Sequence, residues 1–496
     1  MCSRRNAAPR TGAARPWAAA ALLLVLAGIG CRGEPPRPPE GVVLVVVDAL
    51  RADHLGCYGY TRRPTSPHLD AFAADATRFA HASSSTPWTL PSLATIFTSL
   101  YPSVHGATLA SDIGLWLTDH AHFKPVTVLD DSRITLAEML RAQGFATAGF
   151  VQGSYPAPEF GFGQGFDRYD ANVHPGIRFN IDALLAWVDE VRPRRFFAYL
   201  HVAEVHSPYT PPPPNPWYTT TSPDPANRAV ALALDEERAR YHQWDFDPSY
   251  TGWLDGTWES LAMARHGRRL QPRDVEHLAA IYDRGIAYAD YWIGRLLNAL
   301  ADRGLLDRTL VIVTSDHGEE LYDHGGVEHS RTYYDEMMHV PLIVRVPGVG
   351  RGRVVQQQVG LIDIMPTILD LLGMQAAPSF QGRSLVPLIR GRALDERPVF
   401  GEASQVAGLE AVRTGERKYV RAAGGQEWLY DLRADPQERN DGCAREAAAC
   451  AALRAALAAH RAAMATAAVR LALPPPAPAH VDQRTRARLR ELGYGD

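Results

Sequence analysis

The chain has 496 residues, with 51 lysines and arginines against 55 aspartates and glutamates, a formal charge of −4. Apolar residues make up 46% and charged residues 21%, which excludes collagen-like, disordered and polytopic membrane classes. Near-neutral balance without a central basic run argues against a nucleic-acid partner, and five cysteines are too few for a disulfide framework.

In chain order, residues 1–16 carry four arginines and no acid, and Trp17–Gly30 is uninterruptedly apolar. That run is shorter than the roughly 20 residues a spanning helix needs, so residues 1–30 read as an export signal peptide. Gly28 and Gly30 precede Cys31, which resembles the lipobox of bacterial lipoproteins, with Gly28 where the box usually has leucine. The resemblance implies lipidation at Cys31 and an extracytoplasmic, membrane-anchored protein of the bacterial periplasm or cell envelope. Residues 31–40 are a Pro-rich linker.

Val42–Val47 is apolar and β-branched without polar alternation, the pattern of a strand buried on both faces. Comparable runs recur at Ala146–Val151, Phe196–His201, Leu310–Thr314 and Leu342–Val346. Helical spacing is expected over Leu69–Phe79 and Val275–Leu300. Alternating strands and helices predict an α/β domain over 41–395, a large mixed sheet between helices. Residues 207–260 read as a long substrate-facing loop. From 396 to 496 the texture changes to a smaller C-terminal subdomain. Short strands at Val399–Glu402, Glu410–Arg413, Lys418–Arg421 and Trp428–Asp431 predict an antiparallel sheet, followed by an Ala-rich helix over Cys443–Leu473 and a basic tail helix. Cys57 reads as a buried thiol. Cys443 and Cys450 either pair or stay free; the sequence leaves both open.

Three stretches carry chemistry. Asp48 follows the first buried strand in VVVDALRADHLGCYG, and Asp316 and His317 follow another in LVIVTSDHGEELYDHGGVEHS. Acids with an imidazole at strand ends form a divalent-metal set. The structural alternatives are Asp48 capping a helix that begins at Ala49, and Asp316 with His317 as a loop hydrogen-bond pair. In TPWTLPSLATIFTSLYPSVHG, Pro91 suits a first helical position and Leu93, Ile96, Phe97 and Leu100 mark a buried face. Thr89 would then stand just ahead of the helix, where free N–H groups and the helix dipole favour an anion. Beside a metal its hydroxyl has the means to become a nucleophile. The alternative is a simple N-cap. Ser92 falls within the first turn as a structural residue.

DALRADHLGCYG, TLPSLATIFTSLYP, YLHVAEVHSPYTPP, YDRGIAYADYWIGRLL, SDHGEELYDHG, VPLIVRVPG and LYDLRADPQERND together, in this order, resemble the sulfatase family of the alkaline phosphatase superfamily over about residues 40–440. The resemblance implies a mixed sheet between helices with a smaller C-terminal antiparallel sheet. It also implies a metal-dependent ester hydrolase acting on an anionic ester, of a glycan or a lipid. Asp48, Asp316 and His317 would be metal ligands, with Thr89 completing the shell. The ion would be calcium, magnesium, manganese or zinc. His206 would contact the ester oxygens, and His329 would bind substrate or hold a second metal. Glu204 is a candidate for such a second site, or a surface acid. Arg51, His54, His105 and His324 lie near the motifs, with a structural role as the alternative.

The departures from the family pattern are specific. Thr89 stands where sulfatases place the cysteine matured to formylglycine, Leu93 replaces an arginine, and Ala49 replaces the second of two paired aspartates. No cysteine lies between Cys57 and Cys443. A threonine nucleophile is similar to that of the phosphodiesterases and phosphoethanolamine transferases of the superfamily. The expectation is therefore a phosphate or sulfate ester hydrolase working through Thr89. The alternatives are a phosphoryl-group transferase and an inactive glycan-binding lipoprotein.

Overall fold

The computed structural model describes residues 38–109, 126–153, 155–171, 176–207, 270, 272–349, 352–406 and 408–471. The chain divides into two compact units, Met1–Arg37 and Pro38–Asp496, and every described residue belongs to the second. The expected signal peptide, Cys31, the loop from 208 to 260 and the tail helix lie outside the described residues. Among the described residues no helix is long and apolar enough to cross a membrane.

Nine strands form the main sheet among the described residues. They are β1 (Gly41–Val47), β2 (Thr77–Ser83), β3 (Ala146–Val151), β4 (Arg168–Ala171), β5 (Phe196–Val202), β6 (Thr309–Thr314), and, later in the chain, β9 (His339–Arg345), β10 (Arg353–Val355) and β11 (Val359–Gly360). Their order is β10-β2-β9-β6-β1-β5-β3-β4, with β11 also on β2. The pair β7 (Glu320–Leu321) and β8 (Val327–Glu328) forms a separate two-stranded hairpin. β1 is parallel to both β5 and β6, while β9 runs antiparallel to β6 and to β2, so the sheet is mixed as expected.

The apolar run of β1 has a direct explanation in the packing. Val42, Leu44 and Val46 face one core layer, with Leu90, Leu93 and Phe97 of the helix Thr89–Thr98. Val43, Val45 and Val47 face the other, with the helices Pro67–Ala74, Ile177–Val191 and Pro272–Asp302. Side chains alternate across a strand, so burial on both faces leaves no polar position.

One helix expectation is corrected. The helix over Leu69–Phe79 stops at Ala74, and Thr77–Ser83 is β2. Leu69, Phe72 and Ala76 belong to one core layer, but Phe79 lies in the other. Thr77 and Phe79 are buried on either side of the half-buried Arg78, a period of two that the chain satisfies by pairing with β9. Spacings of three and four happened to bridge the two elements.

The C-terminal strands are β12 (Val399–Gly401), β13 (Glu410–Arg413), β14 (Arg417–Arg421) and β15 (Glu427–Asp431), antiparallel in that order. The Ala-rich helix is Ala447–Arg470. Cys443 and Cys450 are disulfide-bonded and tie its first turn to the segment after β15. Cys57 is a free, half-buried thiol whose pKa burial pushes up to about 12.

His105 is structural. It is buried, its Nδ1 accepts from Ala107 N–H at 3.1 Å, and Nε2 lies 3.2 Å from Thr95 Oγ1. Burial pushes its pKa down from 6.5 to about 3. As pH falls below 6.5 the unfolded chain gains a proton that the folded ring refuses. Stability present above that pH is therefore lost on acidification, by up to about 1.4 kcal/mol per pH unit. In urea denaturation at several pH values, His105→Gln should be less stable than the wild type near neutrality but should lose stability less steeply on acidification. Equal slopes would refute the assignment.

Candidate active site

The site lies beyond the carboxyl ends of the central strands, where ligands of α/β sheets gather. Asp48 directly follows β1, and no helix begins at Ala49, which removes the capping alternative. Ala49 has φ +61°, a left-handed conformation unusual for a residue with a Cβ, and its N–H donates to Asp316 Oδ1 at 3.3 Å. Asp316 and His317 follow β6. Ser315 Oγ accepts from Leu50 N–H at 2.9 Å and donates to the His317 carbonyl at 2.6 Å, which stitches the two strand ends together. A Cβ on Gly318 would sit 1.8 Å from the Glu336 carbonyl oxygen, so only glycine fits there.

Thr89 is placed differently from the sequence expectation. It is the first residue of the helix, Trp88 occupies the N-cap position, and Pro91 falls in the first turn rather than opening it. The hydroxyl still faces the acids. Thr89 Oγ1 lies 3.2 Å from His317 Nε2 and 3.4 Å from Asp48 Oδ1. Ser92 Oγ donates to the Asp316 carbonyl at 2.7 Å, so it braces the site from behind, as expected of a structural residue.

His317 Nε2 is 3.3 Å from Asp48 Oδ1 and 3.5 Å from Asp316 Oδ2, while its Nδ1–H donates to the Gly318 carbonyl at 2.8 Å. The rings of His206 and His329 are 4.7 Å apart, and those of His317 and His329 are 4.6 Å apart. His329 is flanked by Glu328 (φ +66°) and Ser330 (φ +86°), both strained non-glycine residues. Ser330 is held on both sides, its N–H by the Pro87 carbonyl and its carbonyl by Gln405 N–H, each at 2.8 Å.

The electrostatics separate the two acids. Burial pushes the Asp48 carboxyl up, but His206, His317 and His201 together outweigh it and hold the group below the usual carboxylate range. Burial and then the charge of Asp48 push Asp316 up. Burial alone would lower His317, yet Asp316 and Asp48 raise it to about 9. His329 is driven well below its ordinary value by burial, then by His317 and His206.

Asp48, Asp316 and His317 offer ligand atoms within 4.8 Å of one another, and Asp316 Oδ2 is buried without a hydrogen-bond partner. An unpartnered carboxylate oxygen in a buried pocket of two acids and an imidazole fits a divalent cation.

Other expected residues lie elsewhere. Glu204 Oε1 accepts from Ile177 N–H at 2.7 Å and from Gln152 Nε2 at 3.2 Å, anchoring the helix Ile177–Val191 rather than a second metal. Arg51 pairs with Asp53 and Asp323, His54 with Asp283, and His324 with Glu336 while stacking on Tyr334. The sequence reading missed Glu319, which is buried with Oε2 2.9 Å from His329 Nδ1. It also missed His201, a histidine inside the apolar strand β5. The signal for His201 was that interruption itself. For Glu319 the adjacent acid Glu320 masked it.

Comparison with known proteins places this geometry in a family. The sulfatase family model matches residues 41–374, and a model of the C-terminal region of N-sulphoglucosamine sulphohydrolase matches 323–463. The chain belongs to the sulfatase family, whose members use a divalent metal ion. It is 26% identical over 439 residues to an ulvan-active sulfatase of Formosa agariphila, covering 82% of this chain and 77% of that protein. It is 31% identical over 214 residues to arylsulfatase K of Mus musculus, covering 40% of this chain and only 36% of that relative. The phosphonate monoester hydrolase of Agrobacterium radiobacter superposes with a TM-score of 0.63 at 23% identity, covering 86% of this chain and 96% of that one, a likeness of fold.

Asp316→Ala should lower the metal content of the purified protein, measured by elemental analysis, while the fold persists. Undiminished metal in that variant would remove Asp316 from the ligand set.

Proposed function

We propose that the protein is a metal-dependent hydrolase that prefers phosphate esters to sulfate esters and uses Thr89 as its nucleophile. The observation that carries this reading is the Thr89 hydroxyl, at the first residue of a buried helix and within 3.4 Å of both His317 and Asp48. A divalent cation held by Asp48, Asp316 and His317 would lower the hydroxyl pKa and offset the charge of the bound ester.

The chain's own residues account for the rest. Unpaired N–H groups and the dipole of the helix Thr89–Thr98 favour negative charge at Oγ1. His206 and His329, whose rings are 4.7 Å apart, are the residues we assign to the ester oxygens. Thr89 Oγ1 gives up its proton and bonds to phosphorus as the bond from phosphorus to the ester oxygen breaks, and that oxygen leaves as the alcohol with the proton that Thr89 released. Water then attacks the phosphothreonine, releasing inorganic phosphate and restoring the hydroxyl.

The sulfatase relatives favour sulfate, and position 89 favours phosphorus. Threonine lacks the second hydroxyl through which a formylglycine hydrate expels sulfate, whereas a phosphothreonine needs only water. Thr89→Ala should therefore reduce turnover of a phosphate monoester or diester by at least on the order of 10²-fold. The fold should survive, because Leu90, Leu93 and Phe97 still bury the helix. Wild-type turnover should be faster on phosphate than on sulfate esters of the same alcohol. Full activity in Thr89→Ala, or a faster sulfatase than phosphatase rate, would defeat this reading.

A further inference from the structure

The segment that joins β12 to β13 holds the neighbours of two site residues. The Ala403 carbonyl accepts the Trp88 indole N–H at 2.6 Å, and Trp88 immediately precedes Thr89. Two residues on, Gln405 N–H donates to the Ser330 carbonyl at 2.8 Å, and Ser330 immediately follows His329. Ser404 Oγ donates to the same carbonyl at 3.2 Å and to that of Arg331 at 3.1 Å. Residues 403–405 thus bridge the chain beside the hydroxyl and the chain beside the imidazole.

A bridge positions groups only if it is itself fixed. Ala403 has φ +60°, a conformation that a residue with a Cβ adopts only under constraint. Glu402 supplies the constraint. Its N–H donates to the Ser85 carbonyl at 2.8 Å. Its side chain, 12% exposed, is engaged at both oxygens: Ser103 N–H donates to Oε2 at 2.9 Å, and His460 Nε2 donates to Oε1 at 2.5 Å. The His460 ring stacks on Phe400, with centroids 3.8 Å apart, and meets Tyr101 edge-on at 4.6 Å. In the helix Ala447–Arg470 the buried residues are Cys450, Leu457 and His460. Cys450 is in the disulfide and Leu457 is apolar, so His460 is the polar group that this helix buries. An apolar side chain would serve docking alone; a buried imidazole is there for its hydrogen bond.

We propose that Glu402, anchored by His460, is a positioning residue that fixes Thr89 and His329 relative to one another during the reaction. This inference rests on the reading above, in which both residues act on the ester. Displacing reacting groups by about 1 Å can cost on the order of 10²-fold in rate, and the loss falls on the chemical step.

The test uses the full chain, loaded with metal, on whichever of an aryl phosphate and an aryl sulfate the wild type turns over faster, together with hydrogen exchange read by mass spectrometry. Glu402→Ala should lower kcat on the order of 10-fold with KM within about twofold. Exchange should quicken in the peptides around 84–90 and 328–333 but not in β1, β5 or β6. Glu402→Gln, which can still bond to Ser103 and His460, should recover most of kcat. His460→Ala should share both defects and decides the matter if Glu402→Ala fails to fold. The double variant should be no slower than the worse single one, as expected of two residues in one link. Arg461→Ala, which removes another tie of the same helix, to Glu410 at 3.0 Å, should change neither readout. An unchanged kcat or exchange pattern in Glu402→Ala or His460→Ala would overturn the inference and leave the functional reading standing. So would a Glu402→Gln as slow as Glu402→Ala, or an equal loss in Arg461→Ala. A wild type inert on both esters would overturn both.

Discussion

Asp48 and Asp316 end neighbouring strands, β1 and β6, and both side chains are almost completely buried. Two carboxylates held together in a low-dielectric interior repel one another, and each has lost its hydration. The fold nevertheless forces them together, because strands with apolar residues on both faces leave no other place for the chain to turn polar than beyond their ends. His317 sits between the acids, and its raised pKa expresses how much positive charge the pair demands. The helix Thr89–Thr98 presents its positive end to the same point. A divalent cation held by Asp48, Asp316 and His317 would offset that repulsion.

The C-terminal sheet contributes to the site from a distance. Arg413 on β13 and Lys418 on β14 both pair with Asp335, at 2.8 and 2.6 Å, and Lys418 also pairs with Glu438 at 2.9 Å. Lys418 is buried, so its charges must be matched within the protein. Asp335 lies shortly after His329, and Ser330 is gripped by Gln405 and Ser404. The strained loop carrying His329 is thus clamped between the main sheet and the C-terminal segment. Arg51 performs a related service, reaching the Glu319 carbonyl at 3.2 Å while paired with Asp53 and Asp323.

Much of this was legible in the residues. The unbroken apolar run of β1 announced burial on both faces, and Asp48, Asp316 and His317 could be read as a cluster because each follows such a strand. The helix after Pro91 was legible from its apolar face, although its start was misplaced by the proline, which proved to lie in the first turn. What stayed hidden depends on pairing between distant segments. β2 looked helical because its partner β9 lies more than 250 residues later, and only that pairing reveals its period of two. His201 reaches the site through the register of β5 on β1, and Glu319 through a loop folded back on His329. Neither is local information.

The central claim is that Thr89 Oγ1 becomes bonded to phosphorus. Mixing the metal-loaded wild type with a phosphate monoester, quenching with acid within the first turnover and sequencing the peptides by mass spectrometry tests it directly. A phosphoryl group on Thr89, formed no more slowly than product is released, is the predicted result. A phosphoryl group on Ser92 instead, or steady turnover with no covalent adduct at any time, would contradict it.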